Sequence, residues 1–299
     1  MINKNNKNEQ YPDYLSLTND YVFKKVFGSM GNENITKNLL ESALNIKIND
    51  INLNENPFTE KDLMSDKLGI LDIKATLNNN IPCDVEMQVV SYNYLDKRIL
   101  FYWSKLFTSS QNSIKSGESF EKLNKTISVF FVDFPIEEII PSLKGVTDFH
   151  TQFHIYEDHH LDCIFSDVLE IHIISLNVLE NLDNLVYNKD EMNLINWIKF
   201  IKNPNLSEES IMENKYIQEA KKQVDKINSD YRERELAESR MKYIMEMNSI
   251  KASGYEDGVK DGSKKEKIEI AKNMLKSNYS IDEITKLTGL SQEEIESLK

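Results

Sequence analysis

Apolar positions along the chain fall into two rhythms that alternate with each other. LTNDYVFKKVFGS sets Val22, Phe23, Val26 and Phe27 at helical spacing, with Thr18 or Asn19 as cap and Gly28 as stop. NITKNLLESALN repeats the helical rhythm through Ile35, Leu39, Leu40, Ala43 and Leu44. GILDIKATLNNNIPCDVEMQVV, from about Gly69 to Val90, changes to a period of two on both sides of an asparagine tip and predicts a β-hairpin. The aromatic run YNYLDKRILFYWSKLFTSSQ has no helix breaker and reads as a helix. KTISVFFVDF is almost continuously apolar between turn-formers, the pattern of a strand buried on both faces. FHTQFHIYE and LEIHIISL predict two further strands, and EMNLINWIKFIKN a helix ending before Pro204. Helices before, between and after strands predict an α/β domain over residues 15–205, a mixed sheet flanked by helices.

The hairpin carries the first sign of chemistry. With Asn78, Asn79 and Asn80 as the tip, Leu77 pairs with Ile81, Lys74 faces Asp84, Asp72 faces Glu86, and Ile70 faces Gln88. Leu71, Ile73, Ala75, Val85, Met87 and Val89 then share the opposite, apolar face, and a slip of one residue would destroy the sorting. Directly opposed residues have Cβ atoms about 4.5–5.5 Å apart, where like charges repel. A divalent cation between Asp72 and Glu86 would remove that penalty. An exposed acidic face, or one protonated acid, would also remove it.

Beyond about Leu206 the strand rhythm stops and Lys, Glu, Asn and Ser dominate, which predicts a solvated helical appendage over 206–299. Gly254, Gly258 and Gly262 recur every fourth residue among charged neighbours, as a loose helical hinge or a close helix-packing surface in a homo-oligomer. SIDEITKLTGLSQEEIESLK, over 280–299, holds two capping boxes, Ser280 with Glu283 and Ser291 with Glu294, around Gly289. This is a helix–turn–helix pattern. The glutamates of QEEIESLK oppose phosphate, so packing is favoured over DNA reading.

Charge narrows the function classes. The net charge is −13, with −10 over residues 1–205 and −3 over 206–299, so neither part has the overall basic excess of a strong non-specific DNA binder. A nucleic-acid role would rest on a local patch and on cations drawn to the acids. No apolar run reaches the roughly 18 residues of a membrane span. The polar leader, residues 1–14, lacks the apolar core of a signal peptide. Cys83 and Cys163 have no paired spacing, which fits a reducing cytoplasm and neither a disulfide framework nor a zinc ribbon.

NDYVFKKVFG (19–28), LDIKA (71–75), VEMQ (85–88), KRILFYWSKLF (97–107), GESFEKLNKTISVFFVDF (117–134) and the glycine-spaced stretch with the terminal LTGLSQEEIESL together resemble the recombination-promoting nuclease / putative transposase family. That family is a branch of the PD-(D/E)XK nuclease superfamily. The resemblance implies a PD-(D/E)XK fold and a magnesium-dependent DNA endonuclease, with manganese able to substitute, associated with recombination or mobile elements. It implies that Asp72 and Glu86 hold the metal, with the Met87 carbonyl as a further ligand, and that Gln88 stands where the superfamily more often has lysine. A neutral glutamine can orient a water but supplies no charge, so a weakly active or inactive nuclease-fold protein that binds DNA or protein partners is the alternative.

Lys97 and Arg98, at the start of the aromatic helix, are candidates for gripping phosphate, or an ordinary solvated helix end. Asp20 and Lys24, four apart, read as a local ion pair, and Glu41 lies in a helix that could approach the site. His150 and His154 sit four residues apart on one strand, about 13 Å, too far for one zinc ion. His159 and His160 fall in a polar turn. No nucleophile elbow or phosphate-binding loop is present.

Overall fold

The computed structural model describes residues 14–54, 73–78, 80–110, 119–160, 162–178, 187–206 and 208–298. Its first compact unit ends at Ile244 and its second spans Met245–Lys299. In the first unit, α1 (Asp20–Phe27) and α2 (Glu33–Leu44) precede β1 (Ile51–Asn54), β2 (Ile73–Leu77) and β3 (Ile81–Gln88). Helix α3 (Leu95–Ser110) leads to β4 (Thr126–Val132), β5 (His150–Tyr156) and β6 (Ile164–Ser175). Then come α4 (Lys189–Lys202), α5 (Glu209–Met212), α6 (Lys215–Ser229) and α7 (Tyr231–Lys276).

The six strands form one mixed sheet in the order β1-β2-β3-β4-β6-β5. β3, β4 and β6 run parallel, and the β1–β2, β2–β3 and β5–β6 pairs are antiparallel. The described hairpin pairs are those the alternation predicts, from Ile73 with Val85 to Leu77 with Ile81, including Lys74 with Asp84. Asn78, at the tip, takes a left-handed backbone with φ 49°, which asparagine tolerates. Asp72, Leu71 and Ile70 lie outside the described residues.

β4 is buried at every position, as its unbroken apolar run predicts. Ile127, Val129 and Phe131 face a large core shared with α1, α2 and α4, while Phe130 and Val132 face a smaller one with Leu95 and Ile99 of α3. Aromatic contacts tie the large core together: Phe23 lies 5.5 Å from Phe131 and Phe27 lies 5.6 Å from Trp197, centroid to centroid. Gly28 is needed where α1 meets the sheet, because a Cβ there would stand 2.8 Å from the Lys24 carbonyl and 3.1 Å from Ile73.

Composition after residue 206 predicts a solvated arm, yet α6 belongs to this core. Ile217, Ala220, Val224 and Ile227 form a narrow apolar stripe that joins Leu15, Leu17 and the α1–α2 layer, and Ala237 of α7 is buried with them.

In the second unit, α8 (Ile281–Thr288) and α9 (Gln292–Glu296) pack Ile284, Leu290 and Ile295 on Ala271 of α7. Both predicted capping boxes form, and Gly289 between them has φ 70°. Gly254, Gly258 and Gly262 lie within the unbroken helix α7, with open space wherever a Cβ would stand. No helix among the described residues is long and apolar enough to cross a membrane.

Candidate active site at the end of strand β3

The last residues of β3 put polar side chains on the sheet face that α3 covers. Glu86 is partly buried, its side chain 14% exposed, and its Oε1 stands 3.4 Å from Nη2 of Arg98 in the first turns of α3. Arg98 lies over the ring of Tyr102 at 5.4 Å and that of Tyr92 at 6.0 Å, so packing as well as charge fixes its direction. Gln88 is buried and its Nε2 donates to the Val90 carbonyl at 2.5 Å. The Gln88 carbonyl accepts from Asp133 on the β4 side, so strand alternation turns the Met87 carbonyl toward the β2 side. The last described β2–β3 pair on that side is Ile73 with Val85.

The donors described here fit a hard cation. A carboxylate and a backbone carbonyl are oxygen ligands of the right kind, and a guanidinium already balances the Glu86 charge. Asp72 lies outside the described residues, and among those described no three His, Cys, Asp or Glu side chains are placed to hold a metal.

Lys97 and Arg98 diverge. Arg98 turns inward to Glu86, whereas Lys97 is exposed and lies 4.8 Å from the centroid of the Tyr94 ring. The first turn of the helix after β3 thus divides these two cations between the acid and the solvent face.

Asp20 does not depend on its sequence neighbour for charge balance. Arg240 of α7, 220 residues away, donates from Nε to both Asp20 oxygens at 3.0 and 2.8 Å, and its Nη2 approaches Oδ2 at 2.7 Å. Asn19 donates to the Ala237 carbonyl at 2.8 Å, the Tyr21 hydroxyl donates to Glu233 at 2.6 Å, and Lys25 reaches Glu233 at 3.0 Å. The start of α7 is thereby latched to the first turns of α1. Burial raises the Tyr92 phenol above its usual range and Tyr243 adds to the rise, while Arg240 and Arg98 oppose it. Tyr92 thus feels the charges of both Arg240 and Arg98. Glu41 accepts from the Ile48 amide at 3.0 Å.

A second polar cluster, which strand alternation alone does not reveal, lies across β5 and β6. Glu170 accepts from Lys125 at 2.7 Å and from Nε2 of His172 at 2.9 Å, and Nδ1 of His172 meets Nε2 of His150 at 2.8 Å. His154 reaches Glu170 at 3.4 Å. The two strand histidines therefore meet different members of one chain of hydrogen bonds. Burial would raise the Glu170 carboxyl, but bonds from His172 and Lys125 outweigh it and hold it at about 2. Burial and His172 lower His150 to about 4, against the pull of Glu170.

The unfolded chain therefore takes up the His150 proton first as pH falls from 6.5, and stability drops until about pH 4. At about 1.4 kcal/mol per pH unit, the ceiling on that loss is ~3 kcal/mol. Glu170 acts lower, its stabilisation disappearing only as pH falls toward 2. Urea unfolding of His150→Gln at a series of pH values is expected to flatten the slope between 6.5 and 4. Asp148, Asp190 and Glu191, which line a cleft together with His150, remain in place in that variant. An unchanged slope would remove His150 as its source.

Residues 17–254 match the family described as PD-(D/E)XK nuclease family transposase, and residues 264–299 match the C-terminal HTH domain of the Rpn/YhgA-like nuclease family. The chain matches no curated protein and no solved structure. With the first match covering most of its length and a mixed sheet flanked by helices beneath it, the chain belongs to the PD-(D/E)XK nuclease family transposases.

Proposed function

We propose that this protein is a metal-dependent DNA endonuclease acting in recombination or in the movement of mobile elements, and that it hydrolyses phosphodiester bonds beside the end of β3. The observation that carries the reading is Glu86, partly buried on the polar face of β3 and already balanced by a cation, in a chain of this nuclease family. Asp72, Glu86 and the Met87 carbonyl are the proposed ligands. Magnesium, or manganese in its place, supplies there a polarised water and charge neutralisation for the phosphoryl oxygens.

The chain's own residues have separate tasks. Gln88 is fixed through its amide nitrogen, which leaves Oε1 to accept a hydrogen bond from a water and orient it. Arg98 is the countercharge to Glu86, and its planar guanidinium is a proposed phosphate contact. Lys97, on the outer side of the helix turn, is a second proposed phosphate contact. The C-terminal helix pair is proposed to bring the chain to DNA or to another copy of itself.

A second reading is a nuclease-fold protein that binds DNA or protein partners with little or no cleavage. It is favoured by Gln88, whose uncharged amide replaces a lysine and is tied to Val90. Supercoiled plasmid incubated with the purified chain and magnesium, manganese, calcium or EDTA separates the two. Nicking with magnesium or manganese, lost in EDTA, supports the endonuclease. Salt-sensitive DNA binding with no cleavage under any metal supports the second reading.

A further inference from the structure

The 16-residue helix α3 is strongly aromatic, yet only Leu95 and Ile99 are buried in it. Phe101 is 54% exposed, and Tyr94, just before the helix, is 71% exposed. Tyr94 also holds a left-handed backbone, φ 64°, which a bulky side chain adopts only at a cost in strain. A residue strained in order to present a ring to solvent needs a reason outside the core.

Cations accompany these rings. The Lys97 ammonium lies 4.8 Å from the Tyr94 centroid, and that of Lys105 lies 4.5 Å from Phe101. Arg98, Phe101, Tyr102 and Lys105 fall along one stripe of the helix, and Tyr94 stands just before its first turn. Beside that stripe runs a cleft of about 830 Å³ between α3 and the hairpin. Among the described residues, two lysines, Lys74 and Lys105, line it against one carboxylate, Asp84, with the amides of Asn80 and Asn124 among the rest. In a chain of net charge −13 this is a locally cationic, hydrogen-bonding surface.

We infer that this face of α3 is a stacking platform for unpaired bases, with the cleft taking the sugar-phosphate backbone of a single strand that leads to Glu86. The inference rests on the endonuclease reading for the site it feeds and extends that reading to the substrate class: DNA with a single-stranded or frayed segment. Seven residues of helix separate Tyr94 and Phe101 by about 10 Å. Successive bases of a duplex strand are only about 3.4 Å apart, so rings at this spacing suit splayed bases. Leu100, 50% exposed on the same helix, would also suit a second copy of the chain, but cations held over both rings favour a polyanion.

The test is binding, in EDTA so that no strand is cut. Fluorescence anisotropy of a short fluorescein-labelled oligo-dT, and of a duplex of equal length, is measured with the full chain and with Tyr94→Ala, Phe101→Ala, Tyr94→Phe and Phe101→Trp. Both rings stand in solvent, so the alanine variants should fold, which circular dichroism checks. Each alanine variant is expected to weaken single-strand binding about tenfold and duplex binding less than about twofold, with the aromatic variants near wild type. Equal loss on both DNAs, no loss on either, or loss of self-association in place of DNA binding would overturn the platform. Plasmid cleavage is a separate readout, so a platform on an inactive chain and an active chain without a platform give different results.

Discussion

Glu86→Ala is expected to lower plasmid nicking in magnesium by at least about a thousandfold, the equivalent of roughly 4 kcal/mol of transition-state stabilisation. The fold should survive. Arg98 keeps its contacts with Tyr102 and Tyr92 when Glu86 is removed and can turn its charged head toward solvent, and circular dichroism checks that the variant is folded. Activity and stability would thus separate, as they must for a ligand and would not for a structural acid. A second readout does not need turnover: calcium should raise the melting temperature of wild type by linkage and leave Glu86→Ala unmoved. Asp72→Ala is expected to behave likewise. If Glu86→Ala nicks like wild type, or calcium stabilises both equally, Glu86 is not a ligand and its role is structural.

The sheet was legible where one face is apolar and the other is not. In the hairpin, Ile73, Ala75 and Val85 fix the parity, so the pairing of Lys74 with Asp84 follows before any coordinates are seen. β1 was not legible, because INLN is four residues long and buries only Leu53, too little for a period to register. α6 was hidden by composition: four apolar residues in a stripe suffice for the core, but lysine and glutamine between them make the segment read as solvated. The cluster of Glu170, His172 and His150 depends on which strands become neighbours, and alternation within a strand carries no such information. The exposure on α3 was equally hidden, since the aromatic run reads as a helix without showing which ring, Phe101, stands in solvent. The latch between α1 and α7 is the extreme case. Asp20 has a lysine four residues on, which offers a local explanation for its charge, while the guanidinium that binds both its oxygens lies 220 residues away.

That latch gives the largest stability effect. Arg240→Ala is expected to destabilise the first unit by about 3–5 kcal/mol, because it leaves the Asp20 carboxylate, with only 9% of its side chain exposed, without its bidentate partner. Arg240→Lys should cost less than alanine but more than a surface change, since an ammonium keeps the charge and loses the two-pronged geometry. The decisive variant is the double change Asp20→Asn with Arg240→Ala, which removes both charges and leaves the arginine stem missing. If burial of an uncompensated charge is the cause, urea unfolding should show the double variant recovering most of the loss. If the cause is lost packing of the arginine stem against Tyr243, the double variant should stay as unstable as Arg240→Ala. The same pair of measurements bears on the site. Tyr92 feels the charges of both Arg240 and Arg98, so a recovered double variant that nicks plasmid normally would make Asp20 and Arg240 a purely structural clasp. One that is stable yet slow would extend the working site from β3 to the arm.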